Sequence, residues 1–166
     1  MSYIEKNWSE ENIKTKVDET ISNYEDGELF IEKTVNENIL LDENKIKNAS
    51  YDQDKGFGLR AVDNESTNFS HNTELSDDAI SKAINSVEMR ENCAKNPPDF
   101  ISQKSNSSLY TNENPITKVS LGEKINFLNN VNKFARDIDI KVKEVSVSLN
   151  GNHQNIEVIT KNGNIF

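Results

Sequence analysis

The chain has 166 residues, of which 34% are hydrophobic and 28% are charged, and its formal net charge is −9. This length and apolar content suffice for one domain with a modest core. The acidic balance argues against nucleic acid as a partner, because a phosphate backbone needs a cationic surface, and it equally disfavours an anionic membrane. No apolar run is long enough to span a bilayer.

The N-terminal residues lack the apolar segment of a signal peptide. The single cysteine, Cys93, permits no internal disulfide, which is typical of a reducing compartment. We therefore expect a cytoplasmic protein. Arginine is rare, with three residues against 16 lysines, so each arginine, including Arg60, is a weak hint of a specific role.

The first half of the chain predicts one helix followed by a sheet. The helix begins at a capping serine, Ser9, and its apolar residues recur at helical spacing until Gly27. They are Ile13, Val17, Ile21 and Tyr24. A strand with Leu29, Ile31 and Val35 on one face follows. Antiparallel pairs are then predicted on both sides of two polar turns, 38–41 with 45–51 and 56–62 with 67–72. We expect these segments to form a four-stranded meander.

The second half predicts two helices and a second hairpin. Ser76 opens a helix with a buried stripe made of Ile80, Ala83, Ile84 and Val87. Pro97 and Pro98 end that segment, and residues 99–118 are expected to be an extended polar connection that includes Pro115.

A capping box at Ser120 and Glu123 then opens the third helix. Its apolar face is predicted to contain Ile125, Leu128, Val131 and Ala135, widened by Phe127 and Phe134. A hairpin is predicted from 140–149 and 156–160 around the turn Asn150–Gly151, and Ile165–Phe166 would begin another strand.

The predicted fold class is α+β, with an antiparallel sheet of about six strands in two meanders and three helices, in the order α-β-β-β-β-α-α-β-β. The length predicts a single domain over residues 1–166.

Three residue groups are candidates for reactive sites. Gly56-Phe57-Gly58 lacks the third glycine and the following helix of a dinucleotide loop, so strand glycines that permit a bulge or a close neighbour are favoured. His71, Cys93 and His153 are the soft metal ligands, and they lie in separate predicted elements without a ligand spacing. Cys93 has no local histidine to activate it and is better interpreted as a packed thiol.

The remaining candidates are serine and carboxylate chemistry. No Gly-x-Ser-x-Gly elbow occurs. The pairs Glu10–Glu11 and Asp77–Asp78 lie in first helical turns, where negative charge favours the helix dipole. The residues therefore predict no catalytic, cofactor-binding or metal-binding site within this chain.

Four segments in sequence order carry a family resemblance. They are the 38–47 run with its acidic turn, the strand Gly56-Phe57-Gly58-Leu59-Arg60-Ala61-Val62, the segment 67–70 and the helix that Ser76 opens. Together with the 145–159 segment they resemble the N-terminal domain of the TldD/PmbA family, over residues 9–166. The resemblance implies that residues 1–166 are this N-terminal domain and that residues 140–166 begin the connection to a missing C-terminal catalytic domain. The Arg-Ala-Val ending is more similar to the TldD branch than to the PmbA branch.

The resemblance implies a metallopeptidase that processes peptides, and it brings the older label of modulator of DNA gyrase. In the TldD branch, zinc is held by a His-Glu-x-x-x-His helix and a distant cysteine in the second half of a longer chain. Here Asn72 follows His71 and Gln154 follows His153, so no catalytic residue is carried over. Zinc, a C-terminal catalytic domain, a homologous partner subunit and a peptide substrate are therefore expected for the full-length family member.

Two functional hypotheses follow. The first is an N-terminal domain or fragment of a TldD-like metallopeptidase, which frames the peptide-access cavity and subunit contacts and is inactive by itself. The alternative is a stand-alone binding module for peptides or proteins that keeps the fold without the peptidase activity. Such a module would capture an extended peptide at an edge strand.

Overall fold

The structure is a computed structural model that describes residues 10–64, 66–88 and 113–161. Its elements, in chain order, are α1 (Glu10–Ile21), β1 (Asp26–Asp42), β2 (Lys45–Asp63), β3 (Ser66–Asn72), α2 (Asp77–Glu88), α3 (Pro115–Lys118), α4 (Leu121–Ile138) and β4 (Ser146–Thr160). The strands form one antiparallel sheet in the order β3-β2-β1-β4. The predicted α+β class is confirmed. None of the described helices combines the length and the apolar character needed to cross a bilayer.

The prediction of six strands in two meanders is wrong for the described residues, which contain four longer strands. β1 and β2 each join segments that were expected to be separate strands. β4 continues through Asn150 and Gly151, where a hairpin turn was expected. There the Asn150 side chain accepts a hydrogen bond from Asn38 on β1. This tertiary pairing of the strand overrides the local turn preference of Asn-Gly.

The predicted turn between β1 and β2 is confirmed. Its two central residues, Glu43 and Asn44, have φ angles of 48° and 63°, as the tight turn of a two-residue hairpin requires. The Glu43 carboxylate accepts hydrogen bonds from Arg136 Nη2 and from the Val145 amide, each at 3.1 Å. These contacts hold a non-glycine residue in the left-handed region.

The chain divides into two compact units, and each is described by itself. Unit 1 contains Met1–Lys33, Lys55–Asn112 and Asn155–Phe166, and unit 2 contains Thr34–Asp54 and Glu113–Gln154. Predictions for Ser9, Cys93, Pro97, Pro98 and the 165–166 strand lie outside the described residues.

Unit 1 has a continuous apolar core between helices and strands. Its buried side chains include all four apolar residues predicted for the first helical segment and most of the stripe predicted for the second. They come from α1, the α1–β1 connection, β1, β2, α2 and β4: Ile13, Val17, Ile21, Tyr24, Leu29, Ile31, Phe57, Leu59, Ala61, Ala79, Ile80, Ala83, Val87 and Ile159. The predicted cap of α2 is confirmed, because Ser76 Oγ accepts a hydrogen bond from the Ala79 amide at 3.2 Å.

Unit 2 contains α3, α4 and parts of β1, β2 and β4. The expected extended connection is wrong at residues 115–118, which form α3. Asn114 accepts a hydrogen bond from the Ile116 amide at 2.9 Å, and Pro115 occupies the first turn, where its missing N–H costs nothing. The capping box of α4 is confirmed, with the Ser120 side chain bound to the Glu123 amide and the Glu123 side chain bound to the Ser120 amide.

The buried face of α4 matches the expected one in part, because Leu128 is buried and Ile125, Val131 and Ala135 are half-buried. Its buried residues are Lys124, Leu128 and Asn132. Phe127 and Phe134, which were expected to widen the apolar face, are 57% and 69% exposed. Polar partners on β1 and on the β1–β2 turn hold Lys124 and Asn132, so the helix is rotated toward those polar side chains.

Candidate functional site

Unit 2 contains a groove between α3, the first turns of α4 and the middle of β4. Its volume is about 410 Å³. The walls are mainly apolar, and the residues that define them are Pro115, Ile116, Val119, Phe127, Leu149 and Gly151. Ile116 and Leu149 are buried or half-buried, whereas Val119 and Phe127 are 45% and 57% exposed. The groove is therefore an apolar recess that opens toward solvent.

A buried ion pair borders this groove. Lys124 Nζ donates to both carboxylate oxygens of Glu37, at 2.6 and 2.9 Å, and to the Ile116 carbonyl oxygen at 2.7 Å. The Lys124 and Glu37 side chains are only 9% and 12% exposed. A charged pair in such a position is stable only when its hydrogen-bonding capacity is used, and here all three ammonium protons have an acceptor.

This geometry limits the chemistry of Lys124. An amine acts as a nucleophile or base only when it is deprotonated and has a free lone pair. Here all three donors of the Lys124 amine are engaged by the Glu37 carboxylate and the Ile116 carbonyl oxygen. Lys124 therefore fixes α3, α4 and β1 together within unit 2, and the groove presents apolar surface beside a neutralised charge pair.

Gly151 shapes the floor of the groove. A Cβ atom at this position would lie 3.1 Å from Cγ1 of Ile116. That distance is shorter than ordinary van der Waals contact, so a larger residue would require the Ile116 side chain on α3 to shift. The close approach explains why glycine lies within a strand here.

At the groove rim, Glu123 belongs to the capping box of α4. Its carboxylate accepts hydrogen bonds from Ser120 Oγ at 2.7 Å and from the Ser120 amide at 2.9 Å. The side-chain hydrogen bond is the larger cause, and together the two bonds lower the pKa of Glu123. Glu123 is therefore a carboxylate at neutral pH and a source of negative charge beside the groove.

The Gly56-Phe57-Gly58 motif lies in β2, as the strand interpretation predicted. Phe57 pairs with Asn72 and Gly58 with His71 across the antiparallel ladder to β3. A Cβ atom at Gly56 would lie 2.9 Å from the Asn72 carbonyl oxygen, so the expected close neighbour is present.

The soft metal ligands are not brought together among the described residues. His71 lies on β3, where its ring stacks on Phe69 with centroids 5.7 Å apart, and His153 lies on β4. These are the two outer strands of the sheet order. Within residues 10–64, 66–88 and 113–161, no three histidine, cysteine, aspartate or glutamate side chains are grouped to bind a metal ion.

Among the carboxylate pairs, Asp77 and Asp78 lie in the first turn of α2, as expected from the helix dipole. Asp78 also pairs with Lys82 one turn later. α1 begins at Glu10, so the backbone of the other pair is likewise at a helix start. No acid/base dyad follows from either pair.

Arg60 forms a cross-strand ion-pair cluster in unit 1. Its Nε donates to Glu28 at 3.0 Å and its Nη2 donates to Asp26 at 2.8 Å. The hydrogen bond to Glu28, followed by that to Asp26, raises the pKa of Arg60, although partial burial opposes the shift. One acceptor at Nε and a second at Nη2 suit the forked guanidinium better than an ammonium, which accounts for arginine at this position in a chain where lysine is far more common.

Sequence reasoning missed the Lys124–Glu37 pair. The only available signal was that Lys124 and Asn132 flank Leu128 at i−4 and i+4, which places two polar residues on the predicted apolar face. Glu37, 87 positions away in sequence, had no local signal at all.

Comparison with known proteins places this fold in a family. Residues 27–90 match the family described as PmbA/TldA metallopeptidase domain 1. A metalloprotease TldD homolog from Buchnera aphidicola subsp. Acyrthosiphon pisum is 32% identical over 142 residues, which cover 84% of this chain and 29% of that protein. A second TldD homolog, from Buchnera aphidicola subsp. Schizaphis graminum, is 30% identical over 146 residues, or 86% of this chain and 30% of the relative.

Solved structures share the fold at low sequence identity. A protein from Thermotoga maritima described as a modulator of DNA gyrase is 12% identical, covers 94% of this chain and 36% of its own, and has a TM-score of 0.67. TldE from Thermococcus kodakarensis is 16% identical, covers 94% of this chain and 35% of its own, and has a TM-score of 0.57.

The chain spans 29–30% of the length of the curated TldD relatives above. Its match lies in the first domain of the family. The matched range contains four of the segments that suggested the resemblance, from 38–47 to the start of α2, whereas the 145–159 segment lies outside it. The chain belongs to the TldD/PmbA family and corresponds to its N-terminal domain.

Proposed function

We propose that this chain acts as the N-terminal, non-catalytic domain of a TldD-like metallopeptidase. In this role it frames the cavity through which peptides reach the catalytic residues, and it contacts a partner subunit. The observation that carries the proposal is the alignment of 84% of the chain with 29% of a TldD homolog, together with the match to the first domain of the family. Residues 140–166 would connect this domain to a C-terminal catalytic domain.

The zinc implied by the family does not fit the described residues of this chain. The two histidines lie singly on separate outer strands, and no cluster of ligands accompanies either. In this proposal, zinc would be held by the C-terminal catalytic domain and not by these residues.

The groove of unit 2 suits the framing role. It offers apolar walls beside a neutralised Lys124–Glu37 pair, and apolar side chains of an unfolded peptide would favour such a surface. A folded protein buries those side chains. A domain of this type would therefore favour extended peptides over folded substrates, and the cytoplasm is the compartment that we assign to it.

The partner subunit in this proposal is a homologous chain. Support comes from the structural likeness to TldE, which shares this fold with a TM-score of 0.57. The net charge of −9 disfavours direct binding to DNA. We therefore do not propose that this chain modulates DNA gyrase, although a structural neighbour is described in that way.

A domain-exchange experiment tests the proposal. The segment of the Buchnera TldD homolog that aligns with this chain is replaced by residues 1–166, and hydrolysis of an unfolded casein is measured with the homologous partner subunit present. We expect the chimera to cleave casein and the same enzyme without any N-terminal domain to be inactive. Chelator-sensitive hydrolysis by residues 1–166 alone would contradict the proposal, as would a folded chimera that behaves like the deletion.

A separate binding module is the second candidate. The exposed aromatic residues Phe127 and Phe134 favour it, since a surface with this much apolar area commonly marks an interaction site. It is distinguished by the same experiment, because a module without a peptidase role would not restore activity to the truncated enzyme.

A further inference from the structure

The outer side of α4 carries an apolar stripe, here called the α4 seam, made of Phe127, Val131, Phe134 and Ile138. Three of these residues are 57%, 69% and 68% exposed, and Val131 is half-buried. Their spacing along the helix is four, three and four residues. The seam is separate from the face that Leu128 buries in unit 2.

This spacing is that of alternate d and a positions in a heptad repeat. Residues at such positions form a narrow stripe that a second helix covers by inserting its own side chains between them. A pocket for a single apolar side chain or a lipid tail requires no such period. The seam therefore fits a helix more closely than an extended strand.

The charges beside the seam indicate which kind of helix fits. In the same heptad register the g positions are Glu123, Asn130 and Asp137, and all three are exposed. The e positions are apolar: Leu121 in the first turn is half-exposed, and Leu128 and Ala135 lie toward the buried side of α4. The charge beside the seam is therefore on the g flank, where two of the three residues are acidic.

Lysines near the seam leave this acidic character in place. Lys133 pairs with Asp137 at 2.7 Å, but it lies at a c position on the far side of Asp137 from the seam. Lys118 is paired with Glu113, and Lys141 follows the end of the helix. Asp137 and Glu123 are the charged side chains that a docked helix meets first.

A second copy of this chain is poorly matched to the seam. Two antiparallel copies would bring g positions together, so that Glu123 of one faces Asp137 of the other, and like charges in that arrangement oppose pairing. Two parallel copies would direct the g flank at the apolar e positions, two of which lie toward the core of unit 2.

We propose that the α4 seam is a docking site for an amphipathic helix of a different protein chain, one with an apolar stripe flanked by lysine or arginine. Phe127 and Phe134 supply the apolar anchors, because large aromatic side chains dominate interface energies. Glu123 and Asp137 select the basic flank. The inference holds whether or not the chain serves a peptidase.

Peptide probes test the proposal with the full chain. The basic peptide has 21 residues, with leucine at its a and d positions and lysine at its e and g positions. The acidic peptide replaces those lysines with glutamate. Binding is measured by fluorescence anisotropy of the labelled peptides, and self-association of the chain by analytical ultracentrifugation. We expect the basic peptide to bind, with an affinity that falls as salt rises, and the acidic peptide not to bind.

Matched variants assign the binding to the seam. Phe134→Ser combined with Ile138→Ser should weaken binding of the basic peptide by about tenfold or more. Both side chains are more than two-thirds exposed, so circular dichroism should show an unchanged fold. Asn126→Ser combined with Asn129→Ser alters exposed residues of the same helix away from the seam and should leave binding unchanged. Asp137→Asn should weaken binding of the basic peptide more at low salt than at high salt.

Several outcomes would overturn the proposal. Equal binding of both peptides would contradict the proposed preference for a basic helix. If neither peptide binds, the proposal that a helix docks on the seam is wrong. A dimer of the chain that dissociates in the Phe134→Ser, Ile138→Ser variant would make a second copy the occupant. Binding to phosphatidylcholine vesicles that is lost in the same variant would make it a lipid surface.

Discussion

Unit 1 and unit 2 bury different kinds of side chains. Among the described residues, the apolar cluster of unit 1 has fourteen buried members, whereas that of unit 2 has three, Ile39, Leu41 and Leu128, with Val147 and Leu149 packed against them. Unit 2 instead contains the buried Lys124–Glu37 pair. Removing an apolar group leaves a cavity, but removing one partner of a buried pair leaves an uncompensated charge, so the two units should fail in different ways.

Directed polar contacts occur in both units, as the Arg60 cluster of unit 1 and as a network around α4 and the β1–β2 turn in unit 2. Arg136 donates to Glu43, Asn132 and the Lys143 carbonyl oxygen. Asparagine side chains bond across β1, β2 and β4. Such contacts fix orientation, whereas apolar contacts are largely non-directional. The comparison teaches that a unit with a small apolar core can still be ordered, because directed hydrogen bonds and ion pairs add to the stabilisation from its few apolar contacts.

The largest effect is expected at the buried ion pair. Lys124→Met should destabilise unit 2 by about 3–5 kcal/mol, because Glu37 is left buried without its cation. Native-state hydrogen exchange of residues 34–54 and 113–154 should report the loss. The double variant Lys124→Met, Glu37→Leu should recover most of it, and a double variant as unstable as the single one would contradict the charge explanation.

The corresponding test in unit 1 removes apolar volume. Leu59 is fully buried, so Leu59→Ala should lower the free energy of unfolding by about 2–5 kcal/mol through lost burial and a residual cavity. Urea denaturation measures the change. The matched control is Leu121→Ala, at a side chain that is 51% exposed, where we expect a change within about 0.5 kcal/mol. Equal effects of the two variants would refute the assigned core.

A medium effect is expected at the cap of α4. Ser120→Ala removes the acceptor for the Glu123 amide and should cost about 1 kcal/mol. Thermal unfolding should therefore begin earlier, with exchange rising first in the N-terminal turn of the helix. Ser120→Asp retains an acceptor and should preserve most of the stability, which separates capping from a general surface effect.

The same cap predicts a pH dependence. Hydrogen bonds from Ser120 lower the folded-state pKa of Glu123 from its ordinary value of 4.5. Its stabilising contribution is therefore complete above the unfolded-state pKa and is lost as pH falls through the lowered folded-state pKa. The free energy of unfolding should be measured by denaturation from about pH 6 to about pH 2, which spans the ordinary carboxyl pKa of about 4. We expect it to fall less steeply with pH in Glu123→Gln than in the unaltered chain. An identical slope in both proteins would contradict this assignment.

The smallest effect is expected at the Arg60 cluster of unit 1. Arg60→Lys keeps the charge but loses the fork that reaches Asp26 and Glu28 together, so we expect a change of about 0.2–1 kcal/mol that shrinks at high salt. Urea denaturation at two ionic strengths measures it. A loss as large as that of Lys124→Met would show that polar contacts matter as much in unit 1 as in unit 2.

Local sequence determined the features that depend on neighbouring residues. The α1 residues Ile13 and Val17, the two serine caps at Ser76 and Ser120, and the β1–β2 turn were all predictable, because helical period, capping and turn chemistry act over a few residues. Catalytic motifs are also recognised from the spacing of residues that are close in sequence, and for this reason the sequence alone could be searched for them.

Tertiary structure decided the rest. Asn150–Gly151 has a strong turn preference, yet it lies in β4 because β1 and α3 provide partners that lie far away in sequence. Phe127 and Phe134 fit the apolar period of α4, but Lys124 and Asn132 find buried polar partners and turn that helix, which leaves the aromatic rings exposed. A sequence pattern shows which residues share a face, and only the partners from distant segments decide which face is buried.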